Sequence, residues 1–200
     1  MINENFVYLG VIIAFLGILT YLYKTFKGEV QPNRVTWFLW ALAPLIAFSA
    51  QIEQGVGAQS WLTFIVGFGP LLVFLTSFVN KKSYWKITKL DLIFGFLSII
   101  GLILWKITGL GNVAISFSIM ADGMAAVPTI IKSYYYPETE SYFAYFASAV
   151  GAAITLLTIN IWNFETYAFS LYIFIVTVLI TVLIKFKIGK NNTSNYFKSK

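Results

Sequence analysis

The charged residues of this chain are few and clustered, and seven predominantly apolar stretches of 18 to 21 residues lie between the clusters. At about 1.5 Å per residue, a helix of this length spans roughly 27–31 Å, which matches the hydrocarbon layer of a bilayer. Only 11% of the residues are charged, whereas a soluble domain carries about a quarter. The alternating pattern of membrane β-strands is absent, so the backbone must satisfy its hydrogen bonds as helices. The sequence therefore predicts an all-α membrane protein with seven transmembrane helices, at residues 6–26, 35–52, 61–80, 90–107, 112–132, 141–161 and 166–186.

Two residue types are missing, and their absence excludes many function classes. The 200 residues include no cysteine and no histidine, which removes disulfides, thiolate nucleophiles, the usual general base and the commonest metal ligand. We therefore expect no catalytic residue, no cofactor and no metal site, and we expect the protein not to be an enzyme. The net charge of +6 is not concentrated in a patch with its own fold, so nucleic acid is not an expected partner.

The basic residues lie almost entirely in alternate loops. Thirteen of the fourteen Lys and Arg residues lie in the last turn of predicted helix one, three, five or seven or in the loop or tail after it, and the exception is Lys106. Because cytoplasmic loops are enriched in Lys and Arg, the N-terminus is predicted outside and the C-terminus in the cytoplasm of a bacterial inner-membrane protein. Membrane lipids are then expected partners, with anionic headgroups near Lys27, Lys81, Lys82 and Lys132.

The chain contains an internal repeat with an offset of 105 residues, which lays predicted helices one, two and three on five, six and seven. Single residues also coincide: Lys27 with Lys132, Pro32 with Pro137, Thr36 with Ser141, Trp37 with Tyr142, Phe38 with Phe143, and Trp40 with Tyr145. We interpret this pattern as two parallel triple-helix bundles related by an axis along the membrane normal, as in some transporters. The predicted units are a first bundle at 1–82, a linker helix at 83–111, a second bundle at 112–187 and a mobile cytoplasmic tail at 188–200.

Asp122 is the strongest candidate for a functional residue. It lies ten residues from each end of predicted helix five, where an acid costs about 2.5–3.5 kcal/mol on insertion scales. Ser118 shares its face, and Asn112 is a weaker polar candidate that would equally suit a helix cap. Asp122 would bind substrate or exchange a proton; alternatively, it hydrogen-bonds neighbouring helices and stabilises their packing. The offset places Gly17 opposite Asp122, and this asymmetry favours the functional interpretation.

Aromatic residues mark one face of predicted helices two and six. Trp37, Trp40 and Gln51 fall on one face of helix two, and Tyr142 and Tyr145 are the equivalents of the two tryptophans on helix six. Aromatic rings stack on sugars, nucleosides or cations, so these five residues are predicted substrate contacts. Alternatively, the same faces pack helices against each other, and Gln51 is solvated at a span end.

The end of predicted helix five and the start of helix six carry a recognisable run of residues, Ala126-Val-Pro128-Thr-Ile-Ile-Lys132-Ser133, followed by Glu140-Ser141. This run resembles the PQ-loop signature of the SWEET, SemiSWEET and PQ-loop transporters, with Thr129 at the position of the glutamine. The resemblance implies a fold of three, one and three helices, and it implies that Pro44 and Pro128 act as hinges. Related folds carry sugars, amino acids or vitamin nucleosides, and one serves a cargo-retrieval receptor.

These observations favour a small-solute transporter for a sugar, an amino acid or a vitamin-like substrate. It would work by alternating access between the two bundles, with Asp122 as a candidate for proton coupling. No nucleotide-binding loop is present, so a gradient would drive it. The alternative is a membrane receptor or assembly protein of the same fold, which would bind its ligand without moving it.

Overall fold

A computed structural model describes residues 2–82, 85–108 and 111–189. Within these ranges the chain forms seven α-helices and a short 3-10 helix, with no β-strand. The α-helices are α1 (Phe6–Lys27), α2 (Arg34–Glu53), α3 (Ser60–Thr76), α4 (Lys89–Thr108), α5 (Gly111–Tyr135), α6 (Tyr142–Leu157) and α7 (Phe164–Phe186), and the 3-10 helix at Pro137–Thr139 precedes α6. Each predicted apolar segment thus lies on one helix. The predicted mobile tail at 188–200 lies almost wholly outside the described residues.

The ends of α3 and α6 differ from the prediction, since both helices end four residues early. Ser77 follows α3, and its hydroxyl donates to the carbonyl of Phe74 at 2.6 Å. Thr158 follows α6, and its hydroxyl donates to the carbonyl of Thr155 at 2.6 Å. These side-chain bonds satisfy carbonyl groups that a further helical turn would otherwise use, so each helix ends there although the sequence stays apolar.

Several of the helices have the length and composition of membrane spans. In the described part of the chain, α1, α2, α5 and α7 are long and apolar enough to cross a membrane, and α3 and α6 are apolar but shorter. Large apolar side chains are exposed along the helices, for example Ile12 and Leu16 on α1 and Ile175 on α7. An apolar surface of this extent is unfavourable in water. The protein is therefore all-helical, with apolar helices that indicate a membrane-embedded chain.

The helices pack in a pattern that follows the 105-residue repeat. α3 contacts both α1 and α2, and α7 contacts both α5 and α6. Across the repeat, α1 packs along α6 and α2 packs along α5, while α4 packs mainly on α5. Helices related by the offset therefore make related contacts, and the centre of the molecule lies between the α1–α6 and α2–α5 pairs.

Small residues bring α1 and α6 close together. A methyl group added at Gly17 would lie 2.6 Å from Cβ of Ala147, and one at Gly10 would lie 2.8 Å from the carbonyl oxygen of Gly151. Such close approach of two backbones is typical of helix pairs in membranes. The α1–α6 pair therefore fixes the distance across one side of the molecular centre.

Candidate functional site

A cavity lies at the centre of the molecule, where six helices meet. Its wall includes residues from α1, α2, α3, α5, α6 and α7, namely Ile18, Trp40, Pro70, Asp122, Tyr145 and Thr177 in that order. Its volume is about 60 Å³, counted as the space that the centres of water molecules can occupy. This is enough for a few water molecules or a small ligand. No single helix forms this cavity, since each contributes part of its wall.

Asp122 brings a buried carboxyl group to the cavity wall. The residue is 2% exposed, and its Oδ2 accepts a hydrogen bond of 2.5 Å from the hydroxyl of Tyr172 on α7. Its Oδ1 has no hydrogen-bond partner among the described residues, and no described Lys or Arg forms a salt bridge with it. A buried polar atom without a partner costs free energy, so this oxygen is available to a ligand or a proton.

Four aromatic rings pack together beside the cavity, and we call Tyr21, Trp37, Trp40 and Tyr145 the aromatic quartet. Trp37, Trp40 and Tyr145 line the cavity, and Tyr21 packs against them. Each ring touches two others, with centroids 4.5 Å apart for Tyr21–Trp37, 5.4 Å for Trp37–Trp40, 6.2 Å for Trp40–Tyr145 and 6.3 Å for Tyr145–Tyr21. Trp40 also donates from its indole nitrogen to the backbone carbonyl of Asp122 at 3.3 Å. The quartet therefore joins α1, α2 and α6 and reaches α5 beside the buried acid.

A buried ion pair lies beyond the quartet and joins the last turn of α5 to the segment before α6. The carboxylate of Glu140 accepts hydrogen bonds from the hydroxyls of Tyr21 and Tyr145 at 2.8 and 3.0 Å. Its other oxygen lies 2.7 Å from Nζ of Lys132, which also donates to the backbone carbonyl of Gln31. Sequence spacing could not predict the contact between Tyr21 and Glu140, because these residues are 119 positions apart in the chain.

The prediction that Lys132 serves lipid headgroups is wrong. Lys132 is 2% exposed, and its ammonium group also lies 4.8 Å from the centroid of the Trp85 ring. The physical reason is Glu140, which follows eight residues later and supplies the counter-charge that burial of an ammonium group requires. The available sequence signal was an acid close to Lys132 in the segment between the two predicted helices.

Four of the predicted substrate contacts line the cavity: Trp37, Trp40, Asp122 and Tyr145. The hinge candidates Pro44 and Pro128 both lie inside helices, as does Pro70 in α3. Proline has no N–H and therefore leaves the carbonyl four residues earlier without its helical hydrogen bond. Pro44 has this effect on the carbonyl of Trp40, and Pro70 on the carbonyl of Val66. Trp40 and Val66 both line the cavity, so two of the three prolines release carbonyl groups in residues of its wall.

The other four predicted contacts lie elsewhere. Gln51 is buried at the end of α2 and donates to the carbonyl of Glu165 at 2.9 Å, so it joins α2 to α7. Asn112 is exposed near the start of α5. The hydroxyl of Ser118 is buried one turn before Asp122 and has no hydrogen-bond partner among the described residues, but Ser118 does not line the cavity.

Tyr142 also lies outside the cavity, although the repeat pairs it with Trp37. It is 44% exposed, and its ring faces Nζ of Lys185 at 5.9 Å. Trp37 is held inward by the Tyr21 ring on α1, and the 105-residue offset replaces Tyr21 by Ala126. Without an aromatic partner on α5, Tyr142 has no equivalent contact, so the aromatic wall is asymmetric.

Comparison with known proteins gives no family. No protein-family model, no curated protein and no solved structure matches the chain. The fold and the site therefore define the protein only as a class: an all-helical chain whose apolar helices indicate membrane embedding, with a small central cavity and one buried carboxyl group at its wall.

Proposed function

We propose that this chain is a small-solute transporter that works by alternating access. In this proposal all seven helices cross the membrane, α1–α3 and α5–α7 form two triple-helix bundles, and α4 links them. The observation that carries the proposal is the cavity, since each of the six bundle helices contributes to its wall and Asp122 presents an unpaired oxygen there. Substrate sites of repeat-built transporters lie at such a junction near the bilayer midplane.

Alternating access requires the two bundles to rock about the cavity. The surfaces that would slide are the α1–α6 and α2–α5 pairs, since these join one proposed bundle to the other. Pro44 and Pro128 interrupt the hydrogen bonding of α2 and α5 and would allow both helices to bend. The aromatic quartet and the Lys132–Glu140 pair would form a gate at the end of the molecule where the loops after α1 and α5 meet. We call this the Lys-rich end, and it is the cytoplasmic end under the positive-inside rule.

Asp122 is the candidate for proton coupling. Its neighbours on packed helices are the Tyr172 hydroxyl on α7 and the Trp40 indole on α2; the acid of α4, Asp91, is bonded to Asn33 at the Lys-rich end instead. An unpartnered carboxylate within a membrane is costly, so Asp122 would alternate between a proton and a ligand. Binding would then release a proton, which calorimetry in two buffers of different ionisation enthalpy detects; equal heats in both buffers would count against coupling.

The absence of cysteine makes alternating access testable without knowing the substrate. Ser148 lines the cavity, and Ser148→Cys introduces one thiol of nearly the same size into the cysteine-free chain. We expect a membrane-impermeant methanethiosulfonate reagent to modify this variant from either side, in right-side-out and in inside-out vesicles. Ser118→Cys is the matched control, because Ser118 is buried outside the cavity and should stay unmodified.

Two outcomes would contradict the proposal. Modification of Ser148→Cys from one side only would indicate a cavity with a single entrance, and would favour the non-transporting receptor. An absence of modification from both sides would mean that the cavity does not open.

A further inference from the structure

We propose that the cavity binds a small organic monocation with an apolar body, such as a short alkylammonium ion, with its charge at Asp122 and against the rings of Trp37, Trp40 and Tyr145. The inference names the substrate class of the cavity and rests on the proposed function for the claim that the cation is carried. Three features of the wall support it: its charge, its aromatic faces and its small number of other free polar groups.

The charge of the wall is a single acid. Oδ1 of Asp122 is buried without a hydrogen-bond partner, and no Lys or Arg in the described part of the chain lines the cavity. A ligand with one positive charge supplies the missing partner through a charge-assisted hydrogen bond. An anionic ligand would place two negative charges together in a site with little solvent, and is therefore disfavoured.

The aromatic faces suit a cation as well. Trp37 and Trp40 stand nearly perpendicular to each other, at 78°, and Trp40 and Tyr145 at 72°, so the three rings form two adjoining corners. All three line the cavity. Ring faces attract ammonium groups, and tryptophan does so most strongly. The Trp40 indole bonds the backbone of Asp122 itself, which holds the ring beside the acid.

Few other polar side-chain groups of the wall are free to bind a ligand. Thr177 donates to the carbonyl of Ile173 at 2.6 Å, and the Tyr145 hydroxyl is bonded to Glu140. Besides the Asp122 carboxyl, the side chains of the wall offer a ligand the hydroxyl of Ser148 and the indole N–H of Trp37, which has no hydrogen-bond partner among the described residues. Most of the wall is aliphatic or aromatic. A sugar would leave several of its hydroxyls without partners, which is unfavourable in a buried site. A zwitterionic amino acid would lack a cation for its carboxylate.

The size of the cavity restricts the cation further. A space of about 60 Å³ holds a few water molecules and suits a short alkyl chain better than a nucleoside. The aliphatic wall from Ile18, Val66 and Ile173 would cover that chain. The wall is therefore complementary to an ion with one charged end and one apolar end.

The test is a binding titration of the purified full-length chain in detergent, with n-butylammonium as the probe and n-butanol, butyrate and glucose as comparison ligands. We expect calorimetry to detect butylammonium and none of the other three. Asp122→Asn keeps the shape and an acceptor for Tyr172, and should weaken binding tenfold or more, since a hydrogen bond to a charged group contributes about 1.5–3 kcal/mol. Trp40→Leu should weaken it about fivefold through the lost ring face.

The control variant is Glu53→Gln, which removes an exposed acid at the end of α2 and should bind butylammonium with unchanged affinity. Size-exclusion profiles and unfolding temperatures establish that each variant is folded. If Asp122→Asn does not fold, the Trp40→Leu variant and the comparison of butylammonium with butanol still test whether the cavity binds a cation. Equal binding of butanol and butylammonium, or no binding of butylammonium by the wild-type chain, would overturn the inference.

Uptake into proteoliposomes separates this inference from the proposed function. Asp122-dependent binding of butylammonium without accumulation would support the cation site and contradict transport. Accumulation of glucose or glycine without binding of butylammonium would support transport and contradict the cation site.

Discussion

At the scale of single residues, the buried acids Glu140 and Asp122 differ in their hydrogen-bond partners. Glu140 accepts hydrogen bonds from two tyrosine hydroxyls and forms a salt bridge with Lys132. Asp122 has one donor, the hydroxyl of Tyr172, and one oxygen without a partner among the described residues. A carboxylate whose oxygens are all engaged stabilises structure, whereas one with a free oxygen can bind a ligand. We therefore propose separate roles for the two acids, a structural one for Glu140 at the Lys-rich end and a binding one for Asp122 at the centre.

The structural role of the Lys132–Glu140 pair predicts that the effect of substituting one residue on the free energy of unfolding depends strongly on the other. Lys132→Met leaves the buried Glu140 carboxylate without its cation and should lower the free energy of unfolding by about 3–5 kcal/mol. Adding Glu140→Gln removes the uncompensated charge while keeping an acceptor for both tyrosines, so the double variant should recover much of the loss. Thermal unfolding in detergent measures the coupling as a double-mutant cycle.

Lys27→Met is the control for this cycle, because Lys27 is exposed and its removal should change stability by no more than about 0.5 kcal/mol. Additive effects of the two substitutions, or an unchanged unfolding temperature for Lys132→Met, would show that the pair does not hold this end of the molecule.

At the scale of elements, apolar stretches and their spacing suffice to predict which segments are helical, because burial of the backbone leaves few alternatives. The ends of α3 and α6 depend on hydrogen bonds from Ser77 and Thr158 to nearby carbonyls, which hydropathy does not register. Which face of a helix is buried can be predicted only when the residues on the neighbouring helix are known. Trp37 is buried because Tyr21 lies opposite, and Tyr142 is exposed although the repeat gives it the same position. The Asp122 carboxyl could be identified from its depth, but its pairing with Tyr172 on α7 could not.

The α1–α6 pair gives a prediction at the same scale. A methyl group at Gly17 would lie 2.6 Å from Cβ of Ala147 and 3.0 Å from the carbonyl of Ala144, so Gly17→Ala must push the two helices apart. We expect a loss of about 1–3 kcal/mol in the free energy of unfolding, measured by thermal unfolding in detergent. Gly123→Ala on α5 is the matched control, because the nearest atom to its added methyl group is 3.7 Å away.

Gly123→Ala should leave stability unchanged or raise it by up to about 1 kcal/mol through helix propensity. The same propensity acts in Gly17→Ala, so the difference between the variants isolates the cost of the close contact. If both variants were equally stable, the small residues of α1 would not be limiting its approach to α6.

At the scale of the whole molecule, the two ends differ in charge. At one end, a polar surface pocket is lined by the loops at 54–59 and 158–163 together with Glu4 and Glu165, and no Lys or Arg in the described chain lines it. At the other end, the loops after α1 and α5 meet, since Gln31 donates its backbone N–H to the carbonyl of Thr139 at 3.0 Å, and Lys132 lies beside them. The fold therefore gathers at one end the loops that the sequence predicts to be cytoplasmic.

This charge asymmetry predicts the orientation of the chain in the membrane. Single thiols at three exposed positions of the cysteine-free sequence, Gln54→Cys, Lys82→Cys and Asn160→Cys, report the side of each loop to an impermeant maleimide added to spheroplasts. We expect Gln54→Cys and Asn160→Cys to be labelled in intact spheroplasts and Lys82→Cys only after permeabilisation, because Lys and Arg are retained in the cytoplasm. Reversed labelling of all three would show that the charge asymmetry does not set the orientation. Labelling of Gln54→Cys and Asn160→Cys from opposite sides would mean that an odd number of spans separates them, which is incompatible with α3, α4, α5 and α6 all crossing the bilayer.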